Sequence, residues 1–181
     1  NTVGSVAIAN TGTASFTTTL AITHTTGSLT LPFNITTSST SGYTFTAGTL
    51  ALSSYTLTTP TFSSSGTSTR TLNFGTGKIS LNGTATTTIW NTGTVTSLTV
   101  SGTPLVECSG GGTGVTKTIN TGPLSEANAV SFSLLETTGT VTYAFTAGTN
   151  AVKNLTINGA QTLSNIGILI YGALTHATSN G

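Results

Sequence analysis

Residues 43–49 read YTFTAGT and residues 143–149 read YAFTAGT, so one seven-residue phrase occurs twice with an offset of 100 positions. A catalytic motif is rarely needed twice in a small domain, whereas a structural unit that is stacked in series repeats its sequence at a fixed period. In both copies Tyr and Phe lie two positions apart, on one face of a β-strand, and Ala-Gly-Thr supplies a turn. The repeat therefore predicts a serial architecture.

The similarity continues beyond the phrase. With the same offset, Leu57 corresponds to Ile157, which preserves the apolar face formed by alternate residues. A looser match, offset by about 97 positions, aligns LNFGTGKISLNG (72–83) with LIYGALTHATSNG (169–181). The second copy of the unit therefore begins in the same way as the first.

We divide the chain into three consecutive parts of one continuous β-rich body. Residues 1–42 form an atypical N-terminal β segment, residues 43–142 form the first repeat unit, and residues 143–181 form the start of the second. The chain contains no Met. We therefore expect it to be a processed product or a segment of a longer protein.

The composition predicts an all-β protein. Only 4% of the residues are charged, Thr is the commonest residue, and the helix formers Glu, Lys, Gln, Arg and Met are scarce or absent. Short alternating runs, each predicted as one strand, include residues 15–22 and 28–35. The runs end at turn signals such as Asn-Gly (82–83) and Asn-Thr-Gly (10–12, 91–93 and 120–122). Only residues 124–129 (LSEANA) indicate a helical turn. Runs at this spacing are typical of a sandwich, a barrel or a β-solenoid.

A repeat of about 100 residues can be one β-sandwich per copy, or four to five solenoid coils of about 20–25 residues each. We favour a β-solenoid resembling a parallel β-helix. Its uncharged Thr, Ser and Asn faces suit ladders of like residues that stack ~4.8 Å apart, one from each coil. In such a ladder, side-chain hydroxyls and amides form hydrogen bonds along the stack. A tandem β-sandwich or jelly-roll remains the alternative. The predicted interior comprises Phe33, Phe45, Phe74, Ile79, Leu81, Leu98, Val100, Phe132, Phe145, Leu155, Ile157 and Ile168.

Charge and cysteine content exclude several classes of function. A net charge of +1 provides no field that would attract nucleic acid, an anionic membrane or a charged substrate. Cys108 is the only cysteine, so the chain cannot form an internal disulfide. No apolar run approaches the ~18 residues of a membrane-spanning helix. We therefore expect neither a nucleic-acid partner nor insertion into a membrane.

The order of the motifs from residue 43 onward resembles a repeat family of fibre-like virion structural proteins of tailed bacteriophages, notably phages of marine bacteria and cyanobacteria. The motifs are RTLNFGTGKISLNG (70–83), TIWN (88–91), TVTSLTVSGTPLVE (94–107), TKTINTGPLSEANAVSF (116–132) and VKNLTINGAQTLSNIGILIYGALT (152–175). The resemblance covers most of residues 43–181. It implies a structural, β-helical role in a tail fibre or capsid decoration, and it brings no catalytic residue to this chain.

Candidate catalytic and metal-binding residues are few. His24 and His176 have no acidic neighbour close in sequence, which argues against a metal site. Glu107, Glu126 and Glu136 could supply the carboxylate pair of a glycosidase, but nothing beyond their number suggests a cleft. We therefore predict no catalytic residue, no metal and no cofactor.

Cys108 has no His near it in sequence that could act as a base, so a buried or turn thiol is the simpler interpretation. The glycine runs at 75–77 and 110–114 lack the Lys-Ser/Thr of a phosphate-binding loop and are interpreted as turns.

Two binding functions are possible alternatives. Aromatic residues could form a sugar-stacking platform, although core packing is their commoner role. They are Trp90, Tyr43, Tyr55, Tyr143 and Tyr171. Thr-x-Thr pairs such as 56–58 and 116–118 could form an ice-binding face, but the irregular intervals between the pairs argue against it.

The sequence thus predicts a non-enzymatic structural segment of a bacteriophage virion fibre or surface appendage, located on the virion or outside the cell. The expected partners are further copies of the chain or flanking modules of the same longer protein, because the ends of a solenoid are open sheet edges. The alternatives are a bacterial extracellular adhesin or filament subunit, and a host-glycan-binding module.

Overall fold

The computed structural model describes residues 14–16, 20–22, 27–37, 42–135, 140–159, 161–165 and 167–177. Within these ranges the chain forms a β-solenoid, because every pairing between the described strands is parallel and joins one coil to the next. The predicted all-β solenoid is confirmed. The sandwich or jelly-roll alternative is wrong, since it requires antiparallel pairs, which do not occur among these strands.

In the described ranges the secondary structure consists of 21 short strands and one 3-10 helix, η1. The elements are β1 (Ala14–Phe16), β2 (Leu20–Ile22), β3 (Ser28–Thr30), β4 (Ile35–Thr37), β5 (Tyr43–Phe45), β6 (Gly48–Ala51), β7 (Thr56–Thr59), β8 (Phe62–Ser63), β9 (Arg70–Asn73), β10 (Lys78–Leu81), β11 (Thr87–Asn91), β12 (Leu98–Ser101), β13 (Leu105–Cys108), β14 (Val115–Asn120), η1 (Glu126–Asn128), β15 (Ser131–Leu135), β16 (Val141–Phe145), β17 (Asn150–Val152), β18 (Leu155–Asn158), β19 (Gln161–Ser164), β20 (Ile168–Ile170) and β21 (Leu174–Ala177).

Each coil places successive strands in different sheets. Sheet A has the order β1-β4-β7-β10-β13-β15-β18-β21, and sheet B has the order β2-β5-β8-β11-β14-β16-β19. The third wall is formed by sheet C (β3-β6-β9-β12), then by η1 in the coil of β13 and β14, and farther along the chain by sheet D (β17-β20). The solenoid is therefore walled by parallel sheets that run along its axis.

The coils differ in length. Ile79 pairs with Val106, 27 residues later, whereas Leu155 pairs with Leu174, only 19 residues later. The longest coils exceed the predicted range because they carry long corner loops, including residues 109–114. This variation explains why Thr-x-Thr pairs recur at irregular intervals in a regular fold.

The repeated phrase occupies the same sheet twice. Its two copies lie in β5 and β16, which are four strands apart in sheet B. Gly48 (φ 85°) and Gly148 (φ 111°) follow these strands with positive φ angles, which glycine adopts without strain. The Ala-Gly-Thr segments therefore turn the predicted corner in both copies.

The two copies are nevertheless not in the same register. Following the pairs from Tyr43 through Phe62, Trp90 and Ile119 leads to Phe145, two residues beyond the Tyr of the second copy. This path crosses an irregularity in β11, where the register shifts. The two copies of the phrase therefore share a sheet and a corner. The inward column that contains Tyr43 passes through Phe145 in the second copy, one inward position beyond Tyr143.

The interior is filled by the inward side chains of stacked coils. Ten of the twelve predicted interior residues are buried, whereas Ile157 and Ile168 are only partly buried because they lie in the last two coils. One inward column of sheet A shows the pattern. It runs through Ile35, Leu57, Ile79, Val106, Phe132 and Leu155.

Several long alternating runs were predicted as single strands, and these predictions are wrong. Residues 28–35 contain β3 and the start of β4, separated by a bend at Pro32 and Phe33. Residues 15–22 contain β1 and β2, which pair in different sheets. The alternation of apolar residues continues around a solenoid corner, because the interior stays on the same side of the chain. The pattern therefore does not show where one strand ends and the next begins.

Sheet C is interrupted where η1 replaces a strand. The segment 124–129, predicted as a helical turn, contains this helix. The backbone N–H of Val100 in β12 donates to Oδ1 of Asn128 at 2.9 Å. The side-chain amide thus supplies the acceptor that a neighbouring strand would otherwise provide, and it covers part of the β12 edge.

Side-chain hydrogen bonds run along the stack, as predicted. Oγ1 of Thr37 donates to Oγ1 of Thr59 in the next coil at 3.0 Å, and both threonines are buried. Nδ2 of Asn120 donates to Oδ1 of Asn91 at 3.2 Å, between paired positions of sheet B. These contacts explain how the fold accommodates a Thr-rich sequence with few charges.

Candidate functional site

The chemically reactive residues are dispersed over the solenoid. Cys108 is buried, Glu126 is exposed in η1, and His176 is exposed in β21. His24 and Glu136 lie outside the described residues. In the part of the chain that the structure describes, no group of three or more His, Cys, Asp or Glu side chains could hold a metal ion.

Glu107 is held by an ion pair. Nζ of Lys78 lies 2.7 Å from Oε2 of Glu107, with side-chain exposures of 39% and 22%. A pair this exposed contributes at most about 1 kcal/mol to stability. Glu107 neighbours Cys108 in β13, but alternation places the carboxylate on the outer face and the thiol inside.

Cys108 is an inert interior thiol. It is completely buried, and burial raises its pKa to about 12, although the charge of Lys117 opposes the shift. A thiol with so high a pKa carries almost no nucleophilic thiolate at neutral pH. The sequence-based interpretation of Cys108 as a buried thiol is confirmed.

We expect Cys108 to react with Ellman's reagent at pH 8 only when the chain unfolds. The reaction should be undetectable in the folded protein and should reach one thiol per chain in concentrated urea, because the reagent needs an accessible thiolate. Fast stoichiometric labelling of the folded protein would contradict the burial of this side chain.

The same thiol should make stability depend on alkaline pH. An unfolded thiol ionises near pH 8.5, so between about pH 8.5 and 12 the unfolded chain releases a proton that the folded chain keeps. The free energy of unfolding should therefore fall with rising pH, by up to about 1.4 kcal/mol per pH unit. Burial also raises the pKa of Tyr43, which adds to the fall at higher pH. Urea titrations at pH 8 and 9.5 should show a smaller fall for Cys108→Ala than for the unchanged chain, and equal falls would refute the assignment.

The large aromatic residues are core residues. Tyr43, Trp90 and Tyr143 are fully buried, so the favoured interpretation as core residues is confirmed for these three, and they cannot stack on sugars. The rings of Phe62 and Trp90 stack with centroids 4.7 Å apart, and Tyr43 stacks on Phe62 at 5.8 Å. This ladder follows the inward column of sheet B, in which these three residues pair.

The remaining two tyrosines are partly buried and packed against the core. The hydroxyl of Tyr171 also donates a hydrogen bond to the carbonyl of Leu124 at 2.9 Å. Tyr55 packs at the corner between β6 and β7, where its backbone N–H donates a hydrogen bond to the carbonyl of Leu52. The described aromatic residues therefore do not form an exposed platform.

Arg70 forms the densest polar cluster of the described structure. The side chain is completely buried at the start of β9, and its guanidinium donates to backbone carbonyls of the two loops that connect sheet B to sheet C in adjacent coils. The acceptors are the carbonyls of Ser64, Ser68 (3.1 Å), Gly66 (2.6 Å), Thr94 (2.8 Å) and Thr96 (2.8 Å). We call this group of carbonyls the Arg70 cluster. Burial lowers the pKa of Arg70, but a guanidinium stays charged at neutral pH.

A second buried cation lies two coils farther along the axis. Lys117 pairs with Tyr143 in sheet B, and its Nζ lies 5.8 Å from the centroid of the Tyr143 ring. A cation at this distance over an aromatic face is attracted by the ring. The hydroxyl of Tyr143 donates to the carbonyl of Cys108 at 3.2 Å, which joins sheets A and B across the interior.

Sequence reasoning missed both buried cations, although a signal for them exists. Arg70 and Leu72 alternate in β9, as Lys117 and Ile119 do in β14, so each cation occupies an inward position of an apolar pattern. The loop before Arg70 reads SSSGTST (63–69) and offers flexible carbonyl acceptors. A Lys or Arg at an alternate position of a strand whose other alternate residues are apolar therefore indicates a buried cation.

The two Asn-Thr-Gly motifs, predicted as turns, stack on each other at a corner of sheet B. Oγ1 of Thr92 accepts a hydrogen bond from Nε1 of Trp90 at 3.0 Å and donates to the carbonyl of Thr121 at 3.2 Å. These threonines are buried, so the motif is an internal corner and not a surface for ligands. The third motif, at 10–12, lies outside the described residues.

The Thr-x-Thr pairs do not form a single aligned face. The pair 56–58 lies in sheet A and the pair 94–96 lies in a loop. Thr44 and the pair 116–118 lie in sheet B, but Thr44 pairs with Ser63, which leads through Asn91 to Asn120 and not to Thr116 or Thr118. The arrangement gives no support to an ice-binding surface.

Glycine-rich loops close the corners, as predicted. Gly75 (φ 55°) approaches the carbonyl oxygen of Ser53 so closely that an added Cβ would lie 2.2 Å from it. The run at 110–114 connects β13 to β14. Neither run precedes a helix that could bind phosphate through its N-terminus.

No helix among the described residues is long and apolar enough to cross a membrane. Comparisons with protein-family models, with curated proteins and with solved structures return no match.

Proposed function

We propose that this chain is a non-enzymatic structural segment of a bacteriophage virion fibre or surface appendage. The observation that supports the proposal is that polar side chains lie inside the stack, where they form hydrogen bonds between coils. Arg70 and Thr92 are buried and bonded to the backbone of adjacent coils. Side chains used in this way stiffen a rod but are not available to a substrate.

The proposed mechanism is mechanical. Parallel ladders place the backbone hydrogen bonds nearly along the axis, so a pull on the rod is shared by the bonds of sheets A and B in every coil. Eight strands stacked in sheet A at ~4.8 Å give an axial length of roughly 34 Å. Further coils would lengthen the rod without changing its cross-section.

The assignment to a phage particle rests on the order of the motifs in residues 43–175, which resembles fibre-like virion proteins. An adhesin or filament subunit of a bacterial surface would use the same solenoid in the same way. A host-glycan-binding module receives less support, because Trp90, Tyr43 and Tyr143 are buried.

The complete coding region and its neighbouring genes provide the test. We expect further copies of the 100-residue unit and neighbouring genes for virion structural proteins. A secretion signal together with a surface anchor in the same protein would overturn the phage assignment in favour of an adhesin. Release of reducing ends from host polysaccharide by the purified chain would overturn the non-enzymatic assignment.

A further inference from the structure

The Asn-Gly dipeptides at residues 82–83 and 158–159 occupy equivalent corners of the solenoid. Asn82 follows β10 and Asn158 ends β18, and the pairs of sheet A place both residues in one outward column. The third Asn-Gly, at 180–181, lies outside the described residues. Asn before Gly is chemically labile, because glycine has no Cβ to hinder attack by its backbone nitrogen on the Asn side chain. The two described corners therefore compare one labile dipeptide in two surroundings.

The peptide between Asn82 and Gly83 is clamped by the coils on both sides. A Cβ added to Gly83 would lie 2.6 Å from the carbonyl oxygen of Pro60, and one added to Gly110 would lie 2.1 Å from the carbonyl oxygen of Gly83. Packing this close leaves no room for the rotation that brings the nitrogen of Gly83 to Cγ of Asn82. Oδ1 of Asn82 is also buried without a hydrogen-bond partner among the described residues. The negative charge that develops on this oxygen during the attack would thus find no donor.

The corner at Asn158 and Gly159 is more open. Gly159 is partly exposed and has a φ angle of 95°, whereas Gly83 is buried. Nδ2 of Asn158 donates a long hydrogen bond of 3.3 Å to Oγ of Ser133. On its other side Asn158 pairs with Ala177, which is exposed. Water therefore reaches this corner, and the side-chain amide is held only weakly.

We propose that Asn158 is a site of spontaneous deamidation, while the same dipeptide at Asn82 is protected by the stacked coils. The backbone nitrogen of Gly159 attacks Cγ of Asn158, and the Cγ–Nδ2 bond breaks. Nδ2 leaves as ammonia with the proton that the nitrogen of Gly159 loses, which closes a cyclic imide. Water then opens the imide, giving Asp if it attacks Cγ and isoaspartate if it attacks the backbone carbonyl carbon. Water is the only reactant required.

The product changes a part of the chain that has no charge of its own. Residues 154–181 contain no charged residue, so either product introduces the first carboxylate there. The hydroxyl of Ser133 can donate to this carboxylate instead of accepting from Nδ2. Isoaspartate also lengthens the backbone by one carbon at the end of β18. The modification extends beyond the proposed structural function and does not depend on it.

Tryptic peptide mapping by mass spectrometry tests the proposal. Cleavage after lysine places Asn82 in residues 79–117 and Asn158 in residues 154–181, and fragmentation separates Asn158 from Asn180. During incubation of the folded chain at pH 8, Asn158 should deamidate at least about tenfold faster than Asn82, since the loss of one donor to a developing oxyanion slows a reaction by at least that factor. The chain unfolded in urea is the matched control, because there the two identical dipeptides should react at similar rates.

Asn158→Gln keeps a side-chain amide but requires a larger ring, so it should suppress the reaction at position 158, and circular dichroism should show an unchanged fold. Equal rates at Asn82 and Asn158 in the folded chain would overturn the proposal. A folded chain that is stable at Asn158, although the unfolded chain reacts there, would also overturn it. Both outcomes leave the proposed function standing, because that depends on the gene context and on the absence of turnover.

Discussion

Replacing Arg70 with Met should lower the free energy of unfolding by about 3–5 kcal/mol, because a hydrogen bond to a charged donor contributes about 1.5–3 kcal/mol and the guanidinium makes several of them. Met keeps much of the volume of the side chain but donates no hydrogen bond. The buried carbonyl of Ser64 and the partly buried carbonyls of Gly66 and Thr94 would lose their common donor, and acceptors without a partner are costly where water cannot reach them. The loops between sheets B and C in two adjacent coils should loosen together.

Equilibrium unfolding in urea, followed by circular dichroism, measures this change. Urea is preferable to guanidinium chloride, because free guanidinium could occupy the Arg70 cluster in the variant. Lys153→Met is the control, since Lys153 is exposed, and it should change stability by less than about 0.5 kcal/mol. Arg70→Lys should recover only part of the loss, because one ammonium cannot reach carbonyls distributed around a planar guanidinium. Equal midpoints for Arg70→Met and Lys153→Met would refute the structural role of the cluster.

The fold was predictable because the signals for it are distributed along the whole chain. Alternating apolar residues, scarce charge and the YTFTAGT repeat jointly indicate stacked parallel strands, and the burial of Phe45 and Phe145 follows from this pattern. Strand ends were harder to predict. Alternation persists through corners such as the bend at Pro32, so a local pattern cannot separate a long strand from two short ones.

The role of individual polar residues could not be predicted from local patterns, because it depends on which coils become neighbours. Arg70 bonds to Thr94 and Thr96, more than 20 residues away, and this proximity is set by the length of one coil. Coil lengths vary with their loops, and loop length carries little sequence signal. The same dependence explains why the repeat predicted the correct sheet for Tyr143 but not its register.

Buried cations and stacked aromatics together show how this chain forms a single register despite its repetitive sequence. Thr- and Ser-rich strands can slip by two residues and still place small side chains inside. Arg70, Lys117 and Trp90 are fully buried, and each is larger or more polar than the residues around it, so a slipped register would have to provide another fitting site for each. A few distinctive residues in the middle coils therefore fix the alignment.

Replacing Trp90 with Ala should lower the free energy of unfolding by about 3–5 kcal/mol, as expected for a large buried aromatic side chain. The indole stacks on Phe62 at 4.7 Å and meets the edge of Phe132, which contributes from sheet A, at 5.6 Å. Its removal would leave a cavity between sheets A and B. It would also remove the hydrogen bond that Nε1 donates to Thr92 at 3.0 Å.

Urea unfolding of three variants separates these contributions. Trp90→Phe should cost less than Trp90→Ala, because it keeps an aromatic ring in the stack while removing the hydrogen bond. Thr88→Ala changes an exposed residue of the same strand and should be nearly neutral. If Trp90 served a bound sugar, Trp90→Ala would abolish glycan binding at unchanged stability. A large loss of stability would instead place this residue among those that hold the coils in register, where a ligand cannot reach it.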